Sequence, residues 1–157
     1  MGISYEIKCR SCMFNRMLNK GVGDDFSTFE NILKKYHVNS KRQILRLLKK
    51  YGLKTKTRLK KPKYERNPFA EKRIYKCRKC GNIESQLYIR ISVPEKWMFD
   101  ASREVKTIEN GNILFRTINR CSRCNTRLKH FRNETDFGEC PDCKQNDIEV
   151  VTKKNWH

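Results

Sequence analysis

Eight cysteines stand in this chain as four Cys-x-x-Cys pairs, Cys9/Cys12, Cys77/Cys80, Cys121/Cys124 and Cys140/Cys143, with none left over. Thiols at that spacing serve three chemistries: dithiol redox exchange, disulfide cross-linking and metal ligation. Redox exchange of the thioredoxin kind needs a βαβ setting, which the sequence around none of the pairs offers. A disulfide inside a Cys-x-x-Cys joins residues that are already adjacent and cannot staple distant parts of a fold. The opening "MGISYEIKCR" has no apolar signal-peptide core, and no apolar run is long enough to span a bilayer, so a cytoplasmic protein in a reducing compartment is expected. Metal ligation remains. A Cys-x-x-Cys turn presents two sulfurs on one tight knuckle, two knuckles complete a tetrahedral site, and four knuckles predict two Zn²⁺ per chain, with rubredoxin-like iron as the chemical alternative.

Four knuckles can be grouped into two sites in three ways. The grouping expected from spacing puts Cys9 and Cys12 with Cys77 and Cys80, and Cys121 and Cys124 with Cys140 and Cys143, because the loop 125–139 closes cheaply. The alternatives join Cys9/Cys12 to Cys121/Cys124 or to Cys140/Cys143. His130 lies in the 125–139 loop, but four thiolates already saturate a metal, so it is expected on the surface or in packing. A site made only of cysteine is also coordinatively closed, whereas catalytic zinc keeps an open position, so no enzyme is expected. The enzymatic alternative is a metal-dependent nuclease using Asp24, Asp25 and Glu30. The "GVGDD" at 21–25 that holds the first two lacks the Lys-Ser/Thr of a phosphate loop and reads as a turn.

A metal staple also fits the composition. Apolar residues make up 37% of the 157, against about 45–50% in ordinary globular domains, and 34% of the chain is charged. Burial alone is a thin source of stability here. The formal charge of +19 falls to +15 if each of two sites carries four thiolates and one divalent ion. The charge is concentrated: residues 1–40 carry six Lys/Arg and four Asp/Glu, residues 41–80 seventeen and two, residues 81–157 thirteen and eleven. A polyanion partner would exploit such a segment.

The elements that must position the knuckles are partly legible. Ile3, Tyr5 and Ile7 alternate with Ser4, Glu6 and Lys8, which predicts a strand into Cys9, and "MFNRMLNKGVG" leads back out. Ser27 and Glu30 can form a capping box ahead of the stripe Phe29, Ile32, Leu33, Tyr36. Ser40 and Gln43 repeat the pattern ahead of Ile44, Leu47, Leu48, Tyr51, with Gly52 suited to the C-terminal cap. Two helices, about 28–36 and 41–51, are therefore expected as a hairpin. Leu53, Thr55, Thr57 and Leu59 alternate with Lys54, Lys56, Arg58 and Lys60, so 53–66 is either a strand with one basic face or a disordered basic arm. "SQLYIRISV" places Leu87, Ile89, Ile91 and Val93 on one face of a strand. Asn110-Gly111 predicts a turn between strands 105–109 and 112–119, and "IEVV" a short last strand. "PEKWMFDASRE" shows no clear pattern.

The knuckles resemble those of the zinc-ribbon superfamily, in which two β-hairpin knuckles clamp one metal. The resemblance covers 121–143 well and residues 5–12 with 75–81 more loosely. Gly81 and Asn125 occupy the position after the second cysteine where a left-handed residue is favoured, and Pro141 matches the common Cys-Pro-x-Cys form; Met13 and Lys144 depart from the pattern. The order of "YEIKCRSC", "YKCRKCGN" and the terminal pair of knuckles also resembles small uncharacterised bacterial tandem zinc-ribbon proteins, which implies an architecture and no activity. The expected fold is thus α+β: two four-cysteine ribbons, one in residues 1–93 with the helical hairpin inserted, the other in 94–157 with a β-hairpin.

The function expected is nucleic-acid binding, DNA or RNA, through phosphate contacts from Lys41, Arg42, Arg46, Lys49, Lys50, Lys54, Lys56, Arg58, Lys60, Lys61 and Lys63. Any specificity would come from groove insertion of a helix or from stacking by Tyr64, Phe69, Tyr75 or Tyr88. The alternative is an adaptor that docks onto a protein complex acting on nucleic acid.

Overall fold

The computed structural model describes residues 2–23, 28–35, 40–53, 68–93, 112–132 and 136–156. They form a sheet-rich α+β structure with mostly antiparallel strands and two helices. The chain divides into two compact units, one of residues 1–24, 71–88 and 118–157, the other of residues 25–70 and 89–117. All eight cysteines belong to the first unit.

In that unit β1 (Gly2–Cys9) pairs antiparallel with β2 (Asn15–Gly21), as the alternation of its apolar residues predicts; Tyr5 and Ile7 are buried and Tyr5 faces Leu18 across the ladder. The third and fourth strands are β3 (Phe69–Lys76) and β4 (Ile83–Val93). Within the first unit the strand order is β4-β3-β2-β1-β7, where β7 is Ile148–Trp156, with the two-residue β6 (Lys129–His130) pairing β3. The last strand, β7 (Ile148–Trp156), is far longer than "IEVV" suggests. It pairs with β1 from Cys9↔Ile148 to Gly2↔Trp156, with a register shift at Glu6/Ile7. Lys153, Lys154 and Asn155 have poor strand propensity, but β1 offers them a complete row of backbone partners, and ladder formation overrides propensity.

In the second unit, α1 (Phe29–Lys35) buries Phe29, Ile32 and Leu33, and α2 (Lys41–Lys50) buries Ile44 and Leu48. Ser27 of the first expected capping box lies outside the described residues, and Thr28 Oγ1 accepts from Asn31 N at 3.2 Å. The second box does not form: Ser40 stands at the N-cap of α2 but its side chain makes no capping bond. The C-terminus closes as expected, with Gly52 at φ +62, Leu53 N on Leu48 O at 2.9 Å and Gly52 N on Lys49 O at 3.3 Å, the paired bonds of a Schellman motif. The helix connection 36–39, the basic arm beyond Leu53 and the expected strand 105–109 lie outside the described residues. The strand that follows, β5 (Asn112–Arg116), pairs with the 90–93 end of β4. Among the described residues no helix is long and apolar enough to cross a membrane.

Candidate metal centres

The structure groups the knuckles differently from the loop-length argument. Cys9, Cys12, Cys140 and Cys143 form one group, and Cys77, Cys80, Cys121 and Cys124 the other, the ligand atoms of each lying within 4.8 Å of one another. In chain order the second group is nested inside the first, so they are the outer and the inner group below. The expected grouping of Cys9/Cys12 with Cys77/Cys80 is therefore wrong. Its error is one of magnitude: closing 13–139 instead of 125–139 is roughly three doublings of loop length, about 2 kcal/mol. The β1–β7 ladder outweighs that, and it delivers Cys9 opposite Ile148, with Arg10 N bonded to Asp147 O at 3.0 Å and Ser11 Oγ bonded to Asp147.

Both groups have the dimensions of a tetrathiolate metal site. Zn–S bonds of about 2.3 Å put the sulfurs of a tetrahedron about 3.8 Å apart, whereas a disulfide would bring them to about 2.05 Å. The cross-knuckle Sγ–Sγ distances are 3.6 Å for Cys9–Cys143 and Cys12–Cys140, 3.4 Å for Cys77–Cys124 and 3.5 Å for Cys80–Cys121. All eight thiols are free of disulfides. Each group can hold one metal ion, and among the described residues no histidine joins either group. His130 is half-buried, its ring 5.9 Å from that of Tyr75, and burial followed by Arg73 lowers its pKa.

Three knuckles share one backbone plan. The amide after the second cysteine returns to the carbonyl of the first: Gly81 N to Cys77 O at 2.9 Å, Asn125 N to Cys121 O at 2.9 Å and Lys144 N to Cys140 O at 3.1 Å. Each of those residues has positive φ, +75 at Gly81, 56 at Asn125 and 65 at Lys144. Lys144, whose type departs from the pattern, adopts the conformation all the same, and its Nζ donates to Cys80 O at 3.2 Å and Pro141 O at 2.9 Å. The Met13 knuckle has no left-handed residue after its second cysteine, and Met13 is 98% exposed.

Around the inner group stands a polar shell that cysteine spacing does not reveal. Asn82 is fully buried; its Nδ2 donates to Glu84 Oε1 at 3.1 Å and Ser122 Oγ at 3.2 Å and lies 3.7 Å from Cys121 Sγ. Its Oδ1 accepts from Arg16 Nη1 at 3.2 Å, and Glu84 also accepts Ser122 N at 3.0 Å. The one signal in the sequence was an Asn directly after "CRKCG". Hydrogen bonds from such a shell fix ligand orientation and stabilise the thiolate. Thiol protonation within the group is uneven: burial and the neighbouring thiols push Cys80 up to about 12, while the Thr126 hydroxyl and backbone amide hold Cys124 down at about 6.

The surroundings of the two groups differ in charge. The segments that build the inner group, 71–84 and 120–132, carry ten Lys/Arg against Glu71 and Glu84, a balance of +8. Those of the outer group, 6–16 and 136–149, carry four Lys/Arg against six Asp/Glu, a balance of −2. Dividing the chain into consecutive blocks averages the basic run "RCSRCNTRLKHFR" with acids from 94–111 and 134–149 and hides it.

Of the expected nucleic-acid-contacting residues, Lys41, Arg42, Arg46, Lys49 and Lys50 are exposed on α2, and Lys54, Lys56, Arg58, Lys60, Lys61 and Lys63 lie outside the described residues, as does Tyr64. Phe69 and Tyr75 are buried, so neither ring is open to a base; Tyr88 is half-buried with the Arg73 guanidinium 3.6 Å from its ring centroid. Asp24 and Asp25 are likewise outside the described residues, and Glu30 pairs with Lys34 at 2.8 Å. Compared with protein-family models, curated proteins and solved structures, the chain matches none.

Proposed function

We propose that this chain is a zinc-stabilised nucleic-acid-binding module, its two tetrathiolate sites of zinc-ribbon type acting structurally and its basic segment 41–80 contacting phosphates. Helix α2 is the observation that carries the reading. It buries Ile44 and Leu48 on one side, exposes Lys41, Arg42, Arg46, Lys49 and Lys50 elsewhere, and contains no acid. Among the described residues Lys41, Arg42, Arg46 and Lys49 have no carboxylate partner. Five cations on a ten-residue helix without an acid raise the free energy of the isolated protein by mutual repulsion, and a phosphate backbone relieves it. A tetrathiolate site has no open coordination position, so the reading is one of binding and not of catalysis.

The test is binding of labelled duplex DNA, single-stranded DNA and structured RNA across a salt series. Log affinity is expected to fall with log salt by several units, since each neutralised phosphate releases about 0.7–0.9 counterion. Reversing Arg46, Lys49, Lys50, Lys54, Lys56 and Arg58 to Glu should weaken binding by two orders of magnitude or more with metal content unchanged. Salt-insensitive affinity, or full binding by the reversed protein, would transfer the reading to an adaptor with a protein partner.

A further inference from the structure

We infer that the inner cysteine group carries a second phosphate-binding surface, a cleft that takes one nucleotide of a single-stranded nucleic acid. The inference rests on the nucleic-acid reading and places a site in the unit that does not contain α2.

The cleft, about 440 Å³, is walled by Lys76, Arg78, Lys79 and Lys129 from the inner side and by Lys144 and Glu139 from the outer. That volume falls within the range of small-ligand sites. Lys76 and Lys144 are anchored: Lys76 Nζ donates to Phe137 O at 2.5 Å, and Lys144 Nζ to the Cys80 and Pro141 carbonyls. Their carbonyl partners leave the ammonium charges uncompensated. Arg78, Lys79 and Lys129 are exposed and have no carboxylate partner among the described residues. Among the described residues Glu139 is the one acid on the wall.

The metal sites themselves could be what these cations neutralise. The magnitudes argue otherwise at the cleft: its five lining cations against Glu139 give +4, and a divalent ion on the four inner thiolates adds −2, which leaves +2. At the outer group the same addition takes −2 to −4, so the end of the unit that attracts an anion is the inner one. Single strands are favoured over duplex by the rest of the lining. Phe131 and His130 are half-buried and border the cleft beside its cations. An aromatic next to a phosphate contact is the arrangement on which unpaired bases stack.

The experiment compares full-length wild type with two variants, Arg78→Glu/Lys79→Glu/Lys129→Glu in the cleft and Lys153→Glu/Lys154→Glu on β7 as a charge control. Fluorescein-labelled oligothymidylate is the probe, unlabelled duplex DNA and inorganic phosphate are competitors, and metal content is measured on every sample. The cleft variant should lose at least 30-fold in affinity for the single strand and about 1 unit of salt slope, the one or two phosphates of a single nucleotide at about 0.7 each. The β7 control should lose less than threefold. On the wild type, amide chemical shifts on adding oligothymidylate should move at 78–81 and 129–131, a readout that needs no variant to fold. Wild-type binding with no shift at those amides, equal losses in both variants, or a cleft variant that differs only by shedding metal overturns the inference and leaves the α2 reading standing. A wild type that binds no nucleic acid in any form overturns both.

Discussion

Cys9, Cys12, Cys140 and Cys143 sit against seven buried non-cysteine side chains, Tyr5, Ile7, Phe14, Leu18, Ile74, Ile83 and Phe137, whereas the inner four cysteines sit against two, Tyr75 and Leu128. The outer group is also gripped by the β1–β7 ladder and by Arg10 on Glu149, 2.6 Å apart. In place of apolar packing the inner group has the Asn82, Glu84, Ser122 and Thr126 shell. The same four ligands are thus held in two ways, one by a core that would exist without them, the other by hydrogen bonds that have little to organise once the ligands part. A metal ion bound there would be a supplement at the first and the organiser at the second.

Removal of metal tests that contrast most severely. Native protein should contain two ions per chain by elemental analysis, and a strong chelator should unfold the surroundings of the inner group first, because a structural zinc contributes on the order of 10 kcal/mol or more. If the contrast holds, hydrogen exchange during chelation should lose protection at 120–128 before β1 and β7 lose theirs. Simultaneous loss would show the two groups to be equally dependent.

Single-site knockouts sharpen it further. Cys121→Ser/Cys124→Ser should bind one ion and lose all protection over 120–128, with β1–β7 intact. Cys9→Ser/Cys12→Ser should also bind one ion yet keep much of the β1–β2 ladder, since seven buried apolar residues remain. Retention of two ions by either variant would break the assignment of ligands.

Next in size is the polar shell. Asn82→Ala removes the partner that Arg16 and Glu84 share, leaving Arg16 on Ile83 O and Glu84 on Ser122 N, and such a change should cost about 1–3 kcal/mol and 10–100-fold in affinity at the inner site alone. Cobalt titration, read by its thiolate absorption, checks whether the outer site keeps wild-type affinity. Acid adds a related test. Cys80, pushed up to about 12, must lose a proton on binding metal anywhere near neutrality, so inner-site affinity rises with pH. Cys124, held at about 6, is ionised at pH 7 and takes up a proton below 6, so the dependence should steepen by about one proton there. A flat profile between pH 5 and 7 would contradict this.

The smallest effect separates two knuckles. Asn125 stands at φ 56, and replacement by Ala should cost about 1 kcal/mol, the penalty for a side chain in left-handed backbone. At the corresponding place in the first knuckle, Met13→Ala should change stability by less than about 0.5 kcal/mol, since Met13 has ordinary φ and is almost wholly exposed. Chemical denaturation of both variants reads the difference.

Local chemistry made a good part of this molecule legible in advance. The ligand set follows from residue type and two-residue spacing, because a knuckle is a local turn. The strand into Cys9, the two helices and the Gly52 cap follow from periodicity and backbone freedom over a few residues. Tertiary structure alone decided which knuckles meet, because strand pairing brings Cys9 beside Ile148 while loop length changes the free energy only logarithmically. It decided the length of β7 as well, since hydrogen bonds offered by β1 carry Lys153, Lys154 and Asn155 into a strand their own propensities would not form. The burial of Asn82 and the cationic surroundings of the inner group belong to the same class: each arises where segments some forty residues apart converge, and no window along the chain contains both.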